Sequence, residues 1–255
     1  MYSKGNVSRG GSVRYQFLLL ALVALLLAFI PGAVQGKGAT QPEANVHVMA
    51  IGAPLTAVEI VAGAEHTCAR LSNGSVKCWG ANYSGQLGLG NEVDRGDAAN
   101  EMGANLPTVD LGTGRTALQL AAGSEHTCAL LDNNTVKCWG FNSQGQLGLG
   151  NLSTHGRLPG TMGDNLPAVD LGTGLTALQV TAGGFHTCAL LSNNTVKCWG
   201  HNGQGRLGLG NTDHRGDNAN EMGNNLPAVD LGPGLTAVEV TGGSNTVAPG
   251  LITGW

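Results

Sequence analysis

Aromatic residues make up only 4% of the chain and charged residues 12%. Basic residues are scarce and do not cluster, so the sequence lacks the positive footprint that a nucleic-acid partner requires. Three of the 13 basic residues (Lys4, Arg9, Arg14) and none of the 17 acidic ones lie in residues 1–36. Without that segment the chain carries ten positive against seventeen negative charges, a formal net of −7. No cysteine follows the N-terminal apolar run, which excludes lipid attachment there. Glycine is abundant instead, with 42 residues in 255. Many glycines with few aromatics are the composition of short strands joined by tight turns.

Residues 1–36 read as an export signal. A basic start precedes an uninterrupted apolar run from Phe17 to Ile30 and a small-residue exit at Val34-Gln35-Gly36. The run is short for a membrane span, which takes roughly 20 residues. An uncleaved anchor is the alternative reading. Residues 37–44 are a linker, and the 219 residues after the signal are enough for one sizeable core.

The block HTCALLSNNTVKCWG at 186–200 has close copies 60 and 120 residues earlier. Aligned at that step, the units are 56–115, 116–175 and 176–235, within a repeat region spanning 45–241. Each unit has four short apolar segments, in the second Ala117–Ala122, His126–Leu131, Thr135–Gly140 and Leu166–Gly172. None keeps a helical period over the ten or more residues a helix needs. The fold class is therefore all-β, a propeller-type repeat of three four-stranded blades, incomplete or open because closed propellers carry four to eight.

The middle two segments have a readable register. With Cys68 opposite Cys78, Thr67 faces Trp79 and Arg70 faces Val76, leaving the loop Ser72-Asn73-Gly74. A three-residue hairpin loop puts its last residue in the left-handed region. That position holds Gly74, Asn134 and Asn194, the residue types that tolerate positive φ at least cost. Opposed Cβ atoms about 4.5–5.5 Å apart are close to disulfide reach. We therefore expect Cys68–Cys78, Cys128–Cys138 and Cys188–Cys198, in keeping with an oxidising compartment. A zinc site is disfavoured, since a ten-residue gap within a hairpin lacks short-spaced knuckles.

The three blocks resemble the regulator of chromosome condensation repeat, and most of all an exported bacterial, α-tubulin-suppressor-like branch. The family pattern G..HT.AL...G.V..WG.N..GQLG.G runs through each unit, departing in the Cys pairs and at Arg206, where the sister units have Gln86 and Gln146. The resemblance implies a β-propeller that binds a partner through one face. It also implies two narrower alternatives. One is guanine-nucleotide exchange on a small GTPase, as in the founding member, and the other is extracellular enzyme inhibition by a propeller of this class.

A strict repeat argues against catalysis, because an active site is a single asymmetric constellation. His66, His126 and His186 are read as structural hydrogen-bonding residues that tie the start of the second strand to a neighbouring turn. Trp79, Trp139 and Trp199 are read as blade-to-blade packing. The GQLGLGN loops lack the Lys-Ser/Thr ending of a phosphate cradle and are read as turns between blades. The acidic inserts after them (Glu92, Asp94, Asp97 and Glu101; Asp213, Asp217 and Glu221) do not match the spacing of a calcium loop. No metal and no cofactor are expected. Arg95-Gly96-Asp97 and Arg215-Gly216-Asp217 spell an adhesion tripeptide, and Asn73, Asn82, Asn133, Asn151 and Asn193 head Asn-x-Ser/Thr triplets. The tripeptides are read as chance matches in a Gly-rich chain, and the asparagines as turn residues. The expected task is binding of an extracellular protein or ligand through blade loops, at the cell surface, in the periplasm or free, with no nucleic acid and no membrane span after cleavage.

Both ends hold partial units. Asn45–Gly52 aligns with the last strand of a blade, and Thr236–Thr241 with a first strand. Residues 242–255 form a degenerate tail. Glu65–Leu71 can be encoded GAA CAC ACC TGC GCC CGG CTT G, which read one nucleotide late gives Asn-Thr-Pro-Ala-Pro-Gly-Leu. The chain has Asn245-Thr246-Val247-Ala248-Pro249-Gly250-Leu251 at the matching positions. The tail thus reads as an out-of-frame remnant of a fourth repeat. DNA downstream lacking further repeats in the other frame would refute this. Three blades expose unpaired faces and edges, which favours self-association.

Overall fold

The computed structural model describes residues 54–243 and 247–253. The signal, the linker and the Asn45–Gly52 segment lie outside the described residues. Each unit folds into an antiparallel three-stranded sheet: β1 (Ala57–Ala62), β2 (His66–Leu71) and β3 (Val76–Gly80). The second contains β4 (Ala117–Ala122), β5 (His126–Leu131) and β6 (Val136–Gly140), and the third β7 (Ala177–Ala182), β8 (His186–Leu191) and β9 (Val196–Gly200). The fourth strand expected in each blade is not formed as a ladder. In the second unit Leu166–Gly172 runs extended, but the Val169 amide to the Val136 carbonyl (2.8 Å) is its contact with the outer strand. Pro167 cannot donate, and the neighbouring Gly172 turns off at φ 107°.

The register of each hairpin follows the pairing of its cysteines. Cys68 faces Cys78, Thr67 faces Trp79 and Arg70 faces Val76, with the same offsets in the other two units. Disulfides join Cys68–Cys78, Cys128–Cys138 and Cys188–Cys198, and the described residues include no free cysteine. The tip residues take the left-handed conformation, at φ 77° for Gly74, 61° for Asn134 and 62° for Asn194. Each first strand carries a bulge, at Val58, Leu118 and Leu178, which leaves those aliphatic side chains half exposed.

The apolar core lies between the sheets. One layer joins units one and two around Leu87, Leu131, Trp139 and Leu166. A second joins units two and three around Leu147, Leu191, Trp199 and Leu226. A third packs unit three against β10 (Leu235–Gly242) through Leu190, Leu207, Ala237 and Val240. No blade of this size buries its own faces alone, so stacking supplies the core.

The C-terminal segment is not left unpaired. β11 (Val247–Thr253) pairs antiparallel with β10, with Gly242 opposite Val247 and Ala237 opposite Leu251. That register, including the bulge, is the one β4 and β5 use (Ala122 opposite Thr127, Ala117 opposite Leu131). A sequence unlike the repeat thus occupies the second-strand position of a fourth sheet.

The three bridges each close a short loop, so their chain-entropy contribution is at most about 3 kcal/mol apiece. Thiol titration of the unfolded, unreduced protein should find none of the six cysteines reactive. Replacing Cys128 and Cys138 together by serine should lower stability within that bound, as measured by denaturant unfolding. Six titratable thiols would refute the pairing.

Candidate functional site

The residues singled out from the repeat meet at the boundaries between blades. At the first boundary the Gln86 carbonyl accepts from the Trp139 indole (Nε1, 3.1 Å) and from the Thr127 hydroxyl (2.9 Å). Thr127 has one proton and gives it to that carbonyl, so the His66 imidazole must donate to it through Nε2–H (2.8 Å). The second boundary repeats this: the Gln146 carbonyl takes Trp199 (3.1 Å) and Thr187 (2.9 Å), and His126 Nε2 reaches Thr187 at 3.0 Å. The histidines therefore bond a strand hydroxyl of the next blade, not a neighbouring turn. Sequence reading missed this because the Thr beside each His belongs to the His of the preceding unit.

Trp139 and Trp199 are fully buried against the preceding blade. A side chain at Gly148, whose φ is 69°, would come within 2.6 Å of the Trp199 indole nitrogen. The GLGN loop is thus a seat for the next blade's tryptophan. Trp79, in the first unit, has no such seat among the described residues and is partly exposed.

The third histidine breaks the series. The residue in register with Thr127 and Thr187 is Val247, which has no hydroxyl. Both His186 ring nitrogens are buried and unpaired among the described residues. Burial pushes the pKa of His66 down to about 4, that of His126 to about 3 and that of His186 to about 4. Burial thus favours the neutral imidazole in all three at pH 7, and among the described residues no carboxylate is hydrogen-bonded to any of the rings.

Two further sets of residues complete the frame, in roles that the sequence reading did not give them. Asn82, Asn142 and Asn202 are fully buried. Asn82 Oδ1 accepts from the Leu87 amide (3.0 Å), and Nδ2 donates to the carbonyls of Asn91 (2.8 Å) and Val93 (3.1 Å). It clamps the glycine loop and cannot carry a glycan. Lys137 Nζ donates to the Leu111 carbonyl of the preceding unit (3.0 Å) and to Gly163 of its own (2.8 Å), and Lys197 repeats this. Burial pushes both lysine pKa values down.

The adhesion-like tripeptides are built into loops. Arg95 pairs its backbone with Gly80, and Glu101 accepts from the amides of Gly96 and Ala98. In the second copy, Glu221 accepts from the amides of Gly216 and Asn218. Among the described residues no group of three or more His, Cys, Asp or Glu side chains is placed to hold a metal. The recess formed by turns 62–64, 122–124 and 182–184 is lined by Ala, Gly and Ser, which offer no side-chain chemistry beyond a hydroxyl.

A different set of positions stands out once the frame is known. Beside each structural histidine, and just after each Trp-Gly, the units do not all carry the same residue: Glu65, Glu125 and Phe185; Ala81, Phe141 and His201; Tyr83, Ser143 and Gly203. Backbone bonds from Ala81 to Glu65 (2.9 Å), Phe141 to Glu125 (2.9 Å) and His201 to Phe185 (2.8 Å) hold them side by side. Across blades, Ser84 donates to Glu125 (3.0 Å), and Phe141 meets Phe185 edge to face at 6.2 Å. Burial and the carboxylates of Glu125 and Glu65 raise the Tyr83 pKa. His201 packs against His214 at 4.8 Å, and burial lowers its pKa. The result is a partly exposed strip running from acidic to aromatic to imidazole. Its middle is a cleft of about 290 Å³ lined by Phe141, Ser143, Gln144, Phe185 and His201.

These features are those of a regulator of chromosome condensation repeat protein. Models of that repeat match residues 57–86, 118–146 and 178–206 and, in a second form, 73–130 and 134–190. The chain belongs to this family. It is 31% identical over 153 residues to the ultraviolet-B receptor UVR8 of Arabidopsis thaliana, covering 60% of this chain and 31% of that one. It is 33% identical over 147 residues to the probable E3 ubiquitin-protein ligase HERC6 of Homo sapiens, covering 58% of this chain and 13% of that one. Among solved structures, Prp20p of Saccharomyces cerevisiae superposes with a TM-score of 0.59 at 18% identity, over 78% of this chain and 44% of that one. The likeness to Prp20p shows the fold, and the chain spans less than half of each of these proteins.

Two measurements check the inter-blade network. Thr187→Val leaves the His126 donor buried without a partner and should cost about 1–3 kcal/mol in denaturant unfolding. The histidines also set a pH dependence. Their folded pKa values lie below the unfolded value near 6.5, so the unfolded chain binds more protons in acid. Their contribution is complete above pH 6.5 and is lost as pH falls toward 4 and 3. Each histidine adds a slope approaching about 1.4 kcal/mol per pH unit. Unfolding free energies flat between pH 7 and 5 would contradict neutral, buried imidazoles.

Proposed function

We propose that this chain is exported and acts as a non-catalytic binding module that engages a protein through the partly exposed strip. The observation that carries the reading is the contrast between the frame and that strip. Buried positions repeat because each blade boundary must satisfy the same donors and acceptors. The strip differs from unit to unit, so the fold does not dictate its residues. Of the three repeated histidines, His66 and His126 are spent on blade contacts, and burial favours the neutral form of all three.

Two facts support the binding reading. Prp20p has binding properties toward Gsp1p and histones, and yeast RCC1 has been solved in complex with Kap60. Binding a protein is thus a use to which this fold is put. Export is supported by the apolar run at 17–30 behind its basic start and by three disulfides, which persist in oxidising compartments.

The test combines processing with site-directed crosslinking in the producing cell. N-terminal sequencing should find the exported chain starting at Lys37. A photo-crosslinking residue at Ser143, on the strip, should trap a protein adduct, and one at Asn133, on an exposed hairpin tip, should not. Retention in the cytoplasm with reduced cysteines would defeat the export reading. Equal adducts from both positions, or none from Ser143, would defeat the binding reading.

A further inference from the structure

We infer that the strip takes an extended peptide, with a Lys or Arg side chain at Glu65, Tyr83 and Glu125 and a neighbouring apolar side chain in the cleft between Phe141 and Phe185. This rests on the reading that the strip binds protein, and it commits to the chemistry of the segment bound.

The acidic half is uncompensated. Five ion pairs occur among the described residues, and none involves Glu65 or Glu125. Besides its interaction with Tyr83, Glu125 accepts the Ser84 hydroxyl, and its carboxylate has acceptor sites to spare. Tyr83 is 48% exposed and interacts with both carboxylates, so a cation bound there also meets an aromatic side chain. An anionic group is repelled there, and a neutral one forgoes the charge attraction that a Lys or Arg side chain gains.

The aromatic half adjoins it. The Phe141 amide bonds the Glu125 carbonyl at 2.9 Å, so the two subsites are neighbours on one frame. The edge-to-face phenylalanines leave an apolar cleft, and Ser143 and Gln144 put a hydroxyl and an amide on its rim. Those groups suit the main chain of an extended segment. A small apolar ligand would fill the cleft without using the carboxylates, whereas a chain with a cationic and an apolar side chain uses both. The frame beneath is rigid, because the residues next to Glu65 and Glu125 are the inter-blade histidines His66 and His126. Binding therefore requires little reordering of the site.

The experiment is fluorescence anisotropy with the mature, oxidised chain. The probes are labelled Gly-Ser peptides of about ten residues carrying one Arg and one Leu at several spacings, an extended-segment mode of recognition. Control peptides replace Arg by Glu or Leu by Ser. At least one Arg–Leu spacing should bind about tenfold tighter than both controls, since a charged pair and an apolar anchor each supply roughly that factor. Affinity should fall as salt rises from about 0.05 to about 0.5 M. The double variant E65Q/E125Q, which keeps the shape of both side chains and an acceptor for Ser84, should lose about five- to tenfold for the Arg peptide and nothing for the Glu control. Phe185→Ala should lose as much through the cleft. Equal binding of Arg and Glu peptides, an unaffected E65Q/E125Q variant, or displacement by a neutral oligosaccharide would overturn the inference. Adducts at Ser143 with no binding by any Arg–Leu peptide would overturn it too, while leaving the strip a protein-binding face.

Discussion

One backbone carbonyl at each blade boundary organises this structure. The Gln86 and Gln146 carbonyls each accept an indole N–H and a threonine hydroxyl from the next blade, and that hydroxyl takes a histidine N–H from the same side as the carbonyl. A carbonyl has two lone pairs, so both are used. The bonds lie in a water-excluded layer, where an unmatched partner is costly. They therefore determine how one blade sits on the next as well as whether it sits there. The tryptophan needs a glycine beneath it, the loop carrying that glycine needs a buried asparagine to hold it, and the order of the repeat motif follows from that chain of requirements.

The boundary after the third blade shows what the network does when a member is absent. β11 keeps the register of a second strand, because strand pairing needs only backbone groups and the bulge position is carried by β10. The hydroxyl is missing at Val247, and both nitrogens of His186 are left without a partner among the described residues. Backbone pairing and side-chain bonding are thus separable here. A segment unlike the repeat can meet the first requirement without the second.

The sequence discloses local geometry better than contacts between units. The hairpin register was legible because Cys68 and Cys78, the Trp-Gly pair and the positive-φ tip all constrain one short segment. The missing fourth ladder was less legible, since Leu166–Gly172 has a strand's apolar content while Pro167 and Gly172 limit its bonding. The roles of Asn82 and Lys137 were hidden, because a polar residue in a loop looks the same whether it faces water or clamps a carbonyl. The partner of each histidine was hidden for another reason. In an exact repeat His66 lies one residue from Thr67 and 61 residues from Thr127, and the step of 60 makes the two threonines indistinguishable by pattern.

The same degeneracy is what exposes the strip. Where three units share an environment, physical chemistry requires the same residue three times, as at the buried asparagines and cysteines. Glu65, Glu125 and Phe185 occupy equivalent backbone positions next to equivalent histidines, yet two are anions and one is an aromatic ring. Stacking the blades does not require that difference, because the backbone bonds that hold these positions are identical in all three. A rigid periodic frame has in this way produced a surface that is not periodic. Acidic and aromatic groups lie in a fixed order along it, an asymmetry that selective recognition needs and that an exact repeat would lack.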